Sequence, residues 1–194
     1  MSVLAIDTSS RQRVVVVLAT RDGAPERSVV RTGAAVGAAL PTALAGLLDG
    51  AVVGAVVVAV GPGSYTGLRA GMASALGVAQ GRGVELHGVG SLEVVAAGWP
   101  SGEVDEGIVA TDASRGFAYA ARYHRRGEQW SSEQPRRVAM DSAELRDCVV
   151  ASSDDLPVSQ LVRIEPALAL AAVVPRALAS PPLRQRGLAA VYVE

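Results

Sequence analysis

Apolar residues recur along this chain first in short unbroken runs and then at helical spacing. Residues 3–6 are wholly apolar, residues 13–20 are continuous and β-branched, and residues 26–32 form a shorter, more polar segment. Residues 9–12 and Arg21-Asp22-Gly23 supply turns between them, which predicts an antiparallel meander with at least one buried strand. Val36, Leu40, Leu44 and Leu47 then share one helical face, with Pro41 bending that helix or marking its first turn. Residues 55–60 read as a strand buried on both faces. A glycine-rich turn, a helix to about Gln80, a strand over 84–89 and a short helix capped by Ser91 and ending near Gly98 complete the first half.

Between residues 99 and 107 the chain turns polar and gains glycine and proline, and a boundary is placed there, giving an N-terminal lobe over 1–100 and a smaller one over 101–194. The second begins as the first does. Leu4-Ala5-Ile6-Asp7-Thr8-Ser9-Ser10-Arg11 is echoed by Val109-Ala110-Thr111-Asp112-Ala113-Ser114-Arg115: an apolar strand ending in Asp, then small residues, then another extended run. The repeat predicts an α/β chain of two ribonuclease-H-like lobes, the actin-like ATPase architecture of sugar kinases and heat-shock ATPases.

Composition narrows the chemistry. About half of the 194 residues are apolar and the net charge is −1, so a packed core is expected and no overall field draws the chain to nucleic acid or an anionic membrane. All 18 cationic side chains are arginine, which removes a phosphate-loop lysine, a Schiff base and a lysine general base. Cys148 is the single cysteine and lies near Leu145 and Val149, so it reads as core packing in a reducing, cytoplasmic setting. The N-terminus lacks the pattern of a secretory signal, and no apolar run is long enough to cross a bilayer.

The most informative segment is GPGSYTGLRAG at residues 61–71. It reads as a strand-to-helix connection in which Ser64 or Thr66 caps the helix, or as a glycine-rich turn with no further role. It is neither a Walker loop, lacking lysine, nor a nucleophile elbow, since Pro62 and Thr66 flank Ser64 two residues away.

The run Gly61-Pro62-Gly63-Ser64-Tyr65-Thr66-Gly67-Leu68-Arg69 resembles the signature of a bacterial glycoprotease-like (peptidase M22-type) family, the TsaB (YeaZ) proteins of tRNA threonylcarbamoyladenosine biosynthesis. Residues 4–9, Leu40-Pro41, residues 88–93, residues 112–119 and a closing strand at 190–193 fall in matching order. The resemblance covers the first lobe strongly and the second weakly. It implies an actin-like fold with a reduced second lobe, and a non-catalytic scaffold subunit in the complex that adds threonylcarbamoyl to the adenosine beside the tRNA anticodon. The implied partners are a catalytic TsaD-like subunit, a small TsaE-like ATPase and, for the chain alone, a second copy; tRNA is touched only indirectly. The chain departs from the family at residues 35–39, which lack the usual histidine and polar residues.

On the implied lobes Asp7 and Asp112 stand where actin-like ATPases hold magnesium and water, but no glycine adjoins either aspartate, so both read as vestigial and no cofactor is expected. His87 and His124 are too far apart for H-x-x-x-H ligation, and no metal is expected. Arg122, Arg125, Arg126, Arg136 and Arg137, with Tyr119, Tyr123 and Trp130 between them, read either as a strip for tRNA phosphates or as solvated strand faces. Gly67, Gly71, Ala75 and Ala79 form a small-residue stripe beside Leu68, Met72 and Leu76, and with Val36, Leu40, Leu44 and Leu47 they are expected to form a helical docking wall. An independent actin-like ATPase or a peptidase-like enzyme is the alternative.

Overall fold

In the computed structural model the described residues are 1–100, 105–126, 129–183 and 189–193. The β-branched runs form β1 (Ser2–Asp7), β2 (Arg13–Ala19) and β3 (Pro25–Thr32), joined as an antiparallel meander. Helix α1 (Val36–Leu48) leads to β4 (Val53–Ala59), α2 (Tyr65–Arg82) and β5 (Glu85–Val89), and both later strands add in parallel. The sheet order is β3-β2-β1-β4-β5. Pro41 lies inside α1 with its ring exposed, so the predicted helix simply runs through it.

After α3 (Ser91–Ala97) the pattern repeats. The antiparallel unit is β6 (Glu106–Ser114), β7 (Phe117–Arg126), β8 (Gln129–Ser132) and β9 (Arg136–Ala139), followed by α4 (Ala143–Asp147), β10 (Val150–Ser152) and β11 (Leu161–Arg163). Its sheet order, β11-β10-β6-β7-β8 with β9 also on β7, matches the first sheet strand for strand. Two ribonuclease-H-like lobes of the actin-like architecture result, the second reduced: α4 has five residues, and no helix joins β10 to β11. Part of the expected junction, residues 101–104, lies outside the described residues. Helices α5 (Pro166–Ala172) and α6 (Val174–Ala179) cross back onto the first sheet, α5 against β2 and β3 and α6 against β5.

Strand alternation divides the first lobe into two cores. Leu4, Ile6, Val14, Val16, Val56 and Val58 face α1 and α2. Val3, Ala5, Val15, Val17 and Val57 face α3, α5, α6 and the inner side of the second sheet, including Val109 and Ala121. Burial on both faces explains why residues 13–19 and 53–59 are continuous rather than alternating.

Candidate functional site

Asp7 closes β1, and Asp112 stands at the corresponding point of β6. Each turns its Oδ1 back to accept a backbone N–H two residues on, from Ser9 and from Ser114, both at 2.8 Å. Burial pushes the Asp7 carboxyl above its ordinary value; the Ser9 hydrogen bonds and the Arg13 charge lower it in part, and Asp154 adds to the rise. Between the lobes lies a cleft of about 660 Å³ whose walls include Ser10, Arg13, Asp112, Asp154 and Glu165. The Arg13 guanidinium crosses it, donating to Asp154 Oδ1 at 2.9 Å and to the Ser153 carbonyl at 2.8 Å. The other Asp154 oxygen accepts the Asp112 N–H at 2.9 Å. One ion pair, nearly buried on both sides, therefore fastens β2 to the second lobe. No local pattern announces it, because its members stand 141 residues apart.

The histidines do not meet. His87 is buried with Nδ1 3.1 Å from the Ser180 carbonyl, whereas His124 is partly exposed beside Glu106. Among the described residues no three His, Cys, Asp or Glu side chains are grouped to share a metal. The basic stretch is internally partnered: Arg122 pairs with Glu106 at 2.8 Å and Arg136 with Glu144, while Arg125 and Arg137 lie over Trp130 and Phe117. The Arg126 side chain lies outside the described residues. Cys148 follows α4 directly and packs on the small core of the second lobe.

The signature loop sits between the cleft and α2. Its Gly61–Pro62 peptide is cis, and Gly61 has φ +116, with a would-be Cβ 2.4 Å from the Val191 carbonyl oxygen. The Gly63–Ser64 corner is pressed against the β1–β2 loop, Ser64 N donating to the Ser9 carbonyl at 2.7 Å. Of the two expected caps, Ser64 does the work, its Oγ accepting from Gly67 N at 3.3 Å; Thr66 is exposed. Tyr65 opens the helix with Arg69 over its ring and bonded to its hydroxyl. No strand forms over 190–193; the expected pairing reduces to Val191 N on the Val60 carbonyl at 2.7 Å and Tyr192 stacked on Tyr65. Gly90, not Ser91, precedes α3, and its N–H is taken by Glu93.

The side chains of the expected docking wall pack inward. Leu40, Leu44 and Leu47 of α1 and Gly67, Leu68, Gly71, Met72 and Ala75 of α2 are buried within the first lobe, and Val36 and Leu76 are half-buried against the same core. The stripe is small because the chain itself needs it to be: a Cβ at Gly67 would lie 2.1 Å from the Thr8 carbonyl oxygen, and one at Gly71 2.2 Å from Thr8 Oγ1. What solvent meets is the opposite face. On α1 it comprises Gly37, Ala38, Pro41, Thr42, Ala45 and Gly46; on α2, Thr66, Ala73 and Gly77 are exposed and Ala70 half-buried. No charged residue occurs between Arg31 and Asp49, and α2 carries charge only at Arg69 and Arg82.

Residues 19–145, more than half of the chain, match the family model described as "TsaD: tRNA N6-adenosine threonylcarbamoyltransferase". Over 63 residues, 32% of this chain and 28% of the other, the chain is 43% identical to an uncharacterized protein of Mycobacterium tuberculosis. Over 80 residues, 40% of this chain and 35% of the other, it is 36% identical to the tRNA threonylcarbamoyladenosine biosynthesis protein TsaB of Escherichia coli. The chain thus spans about a third of the length of the curated relatives it matches. Its fold is similar to that of YeaZ from Pseudomonas aeruginosa, with TM-score 0.76 at 19% identity over 99% of both chains.

Proposed function

Because the chain belongs to the family whose model is described as TsaD: tRNA N6-adenosine threonylcarbamoyltransferase, we propose that it serves tRNA threonylcarbamoyladenosine biosynthesis as a non-catalytic scaffold. In this reading it docks on a catalytic TsaD-like subunit through the outer faces of α1 and α2, and a TsaE-like ATPase joins the pair. One observation carries it. Gly37, Gly46 and Gly77 face open space, where nothing among the described residues forbids a side chain. Each costs about 1 kcal/mol of helix stability against alanine. A bare face rich in glycine and alanine, whose α1 side carries no charge and whose α2 side carries Arg69 one turn before Ala73, suits the close approach of another backbone, and does little for a helix left in water.

The cleft supports a scaffold rather than an ATPase. The chain's own cation, Arg13, already spans it to Asp154, and the Asp7 and Asp112 carboxylates each satisfy a backbone N–H. The test is co-purification with the TsaD-like protein of the same organism, using Ala45→Glu and Ala73→Glu. Both positions are exposed, so the isolated chain should keep its stability within about 0.5 kcal/mol. Assembly should weaken at least about tenfold, because a charge would be desolvated at the interface. Undiminished assembly of both variants overturns this docking face, and ATP turnover by the purified chain overturns the scaffold reading.

A further inference from the structure

At the cleft end of α2 the chain displays an aromatic pair that its own packing does not require. Tyr65 and Tyr192 are 58% and 53% exposed, with ring centroids 5.5 Å apart and planes tilted by 31°. With Val191 they make up half of the large apolar side chains left exposed among the described residues. Beside them opens a hollow of about 220 Å³, whose lining includes Arg11, Ser64, Tyr65, Asp112, Tyr119 and Tyr192. That is smaller than the roughly 300 Å³ at which pockets begin to enclose whole drug-sized ligands. It therefore suits one unit of a longer molecule.

The charges around the hollow are specific. Among the described residues Arg11, which is exposed, meets no carboxylate, and the Arg69 guanidinium touches only the neutral Tyr65 ring and hydroxyl. Both cations are therefore free to meet an anion. Asp112 keeps one carboxylate oxygen on the Ser114 N–H, and its Oδ2 has no partner among the described residues. The site thus combines stacking faces, arginines without counter-ions and one acceptor for a donor group. The platform is also pre-set, since Ser64 N is tied to the Ser9 carbonyl and Gly67 and Gly71 seat α2 directly on Thr8. Pre-organisation lowers the ordering cost of binding.

From this combination we infer that the Tyr65–Tyr192 platform binds one unpaired nucleotide of a nucleic-acid strand. The base stacks on the tyrosines, the phosphate meets Arg11 or Arg69, and Asp112 accepts from the base amino group or the sugar hydroxyl. An acidic peptide would satisfy the arginines but would face the Asp112 carboxylate and leave the stacking faces without a planar partner. The inference goes beyond the scaffold reading, and it replaces the sequence-based expectation that RNA is touched only through a partner.

The test is fluorescence anisotropy of a labelled, unstructured oligoribonucleotide titrated with the full chain at low salt, with deoxyribo-oligonucleotide and mononucleotide as parallel probes. Tyr65→Ala and Tyr192→Ala should each weaken oligoribonucleotide binding about tenfold or more, and Tyr65→Phe should keep it. Arg11→Ala should lower the logarithmic salt slope by about 1. Stronger binding of the ribo-strand would assign a role to the sugar hydroxyl; equal binding of both strands would assign recognition to base and phosphate alone. Thermal melting separates loss of binding from loss of fold. Co-purification with the TsaD-like subunit, run on the same variants, reports the scaffold reading separately. The inference is overturned if no strand binds, if the alanine variants bind undiminished, or if an acidic peptide competes while mononucleotides do not.

Discussion

Asp7 shows how burial and partnership compete at one side chain. Its folded pKa is raised above 3.8, burial being the largest cause. A raised carboxyl pKa means that the folded chain binds its proton more tightly than the unfolded chain does. The stability tied to that proton is present below pH 3.8 and is lost as pH rises through the folded value. Asp7→Asn keeps an oxygen for the Ser9 N–H and removes the buried charge. It should be more stable than the parent at neutral pH, with the difference vanishing below pH 3.8, as read by urea midpoints across a pH series. A pH-independent difference would refute the burial argument. Asp7 and Asp112 could be picked out from the repeated strand-end motif, but Arg13 could not, because an arginine inside a β-branched run carries no sign of what lies across a cleft.

At the scale of the element, α2 has two kinds of glycine that look alike in the sequence. Gly71 leaves room for Thr8, whereas Gly77 faces open space. Gly71→Ala should therefore cost about 1–3 kcal/mol through forced displacement of the buried Thr8 side chain. Gly77→Ala should stabilise the isolated chain by about 1 kcal/mol through helix propensity alone. Chemical denaturation of the two variants checks both signs, and equal effects would remove the distinction between packed and outward faces. The same contrast bears on the expected docking wall, whose side chains pack inward. The spacing of Leu40, Leu44 and Leu47 identifies an apolar face, but an apolar stripe is selected equally by the chain's own sheet and by a partner. The absence of charge on the opposite face of α1 was equally legible between Arg31 and Asp49, and it motivates the docking face proposed above.

At the scale of the whole molecule, the lobes are joined by shared core and by the Arg13–Asp154 pair. Removing one member leaves the other charge nearly buried and alone. Arg13→Met should cost about 3 kcal/mol, and pairing it with Asp154→Leu should recover most of that loss. Additive losses in the double variant would show that the two side chains act independently. Helices α5 and α6 tie the lobes a second way, since they follow the second sheet in sequence yet pack on the first. No local pattern foretells that return, because an apolar helix face does not say which sheet it will cover.

Local chemistry therefore decided much of this protein: which runs are strands, where the helices begin, that a strand-loop-helix signature follows β4, and that the opening motif occurs twice. Those features depend on contacts within a few residues, which spacing and side-chain shape report directly. The tertiary structure alone decided which face of each helix turned inward, which cation crossed the cleft, and which exposed tyrosines came together. Each of these is a choice among partners far apart along the chain, made by competition for burial and for opposite charge once the two sheets have met.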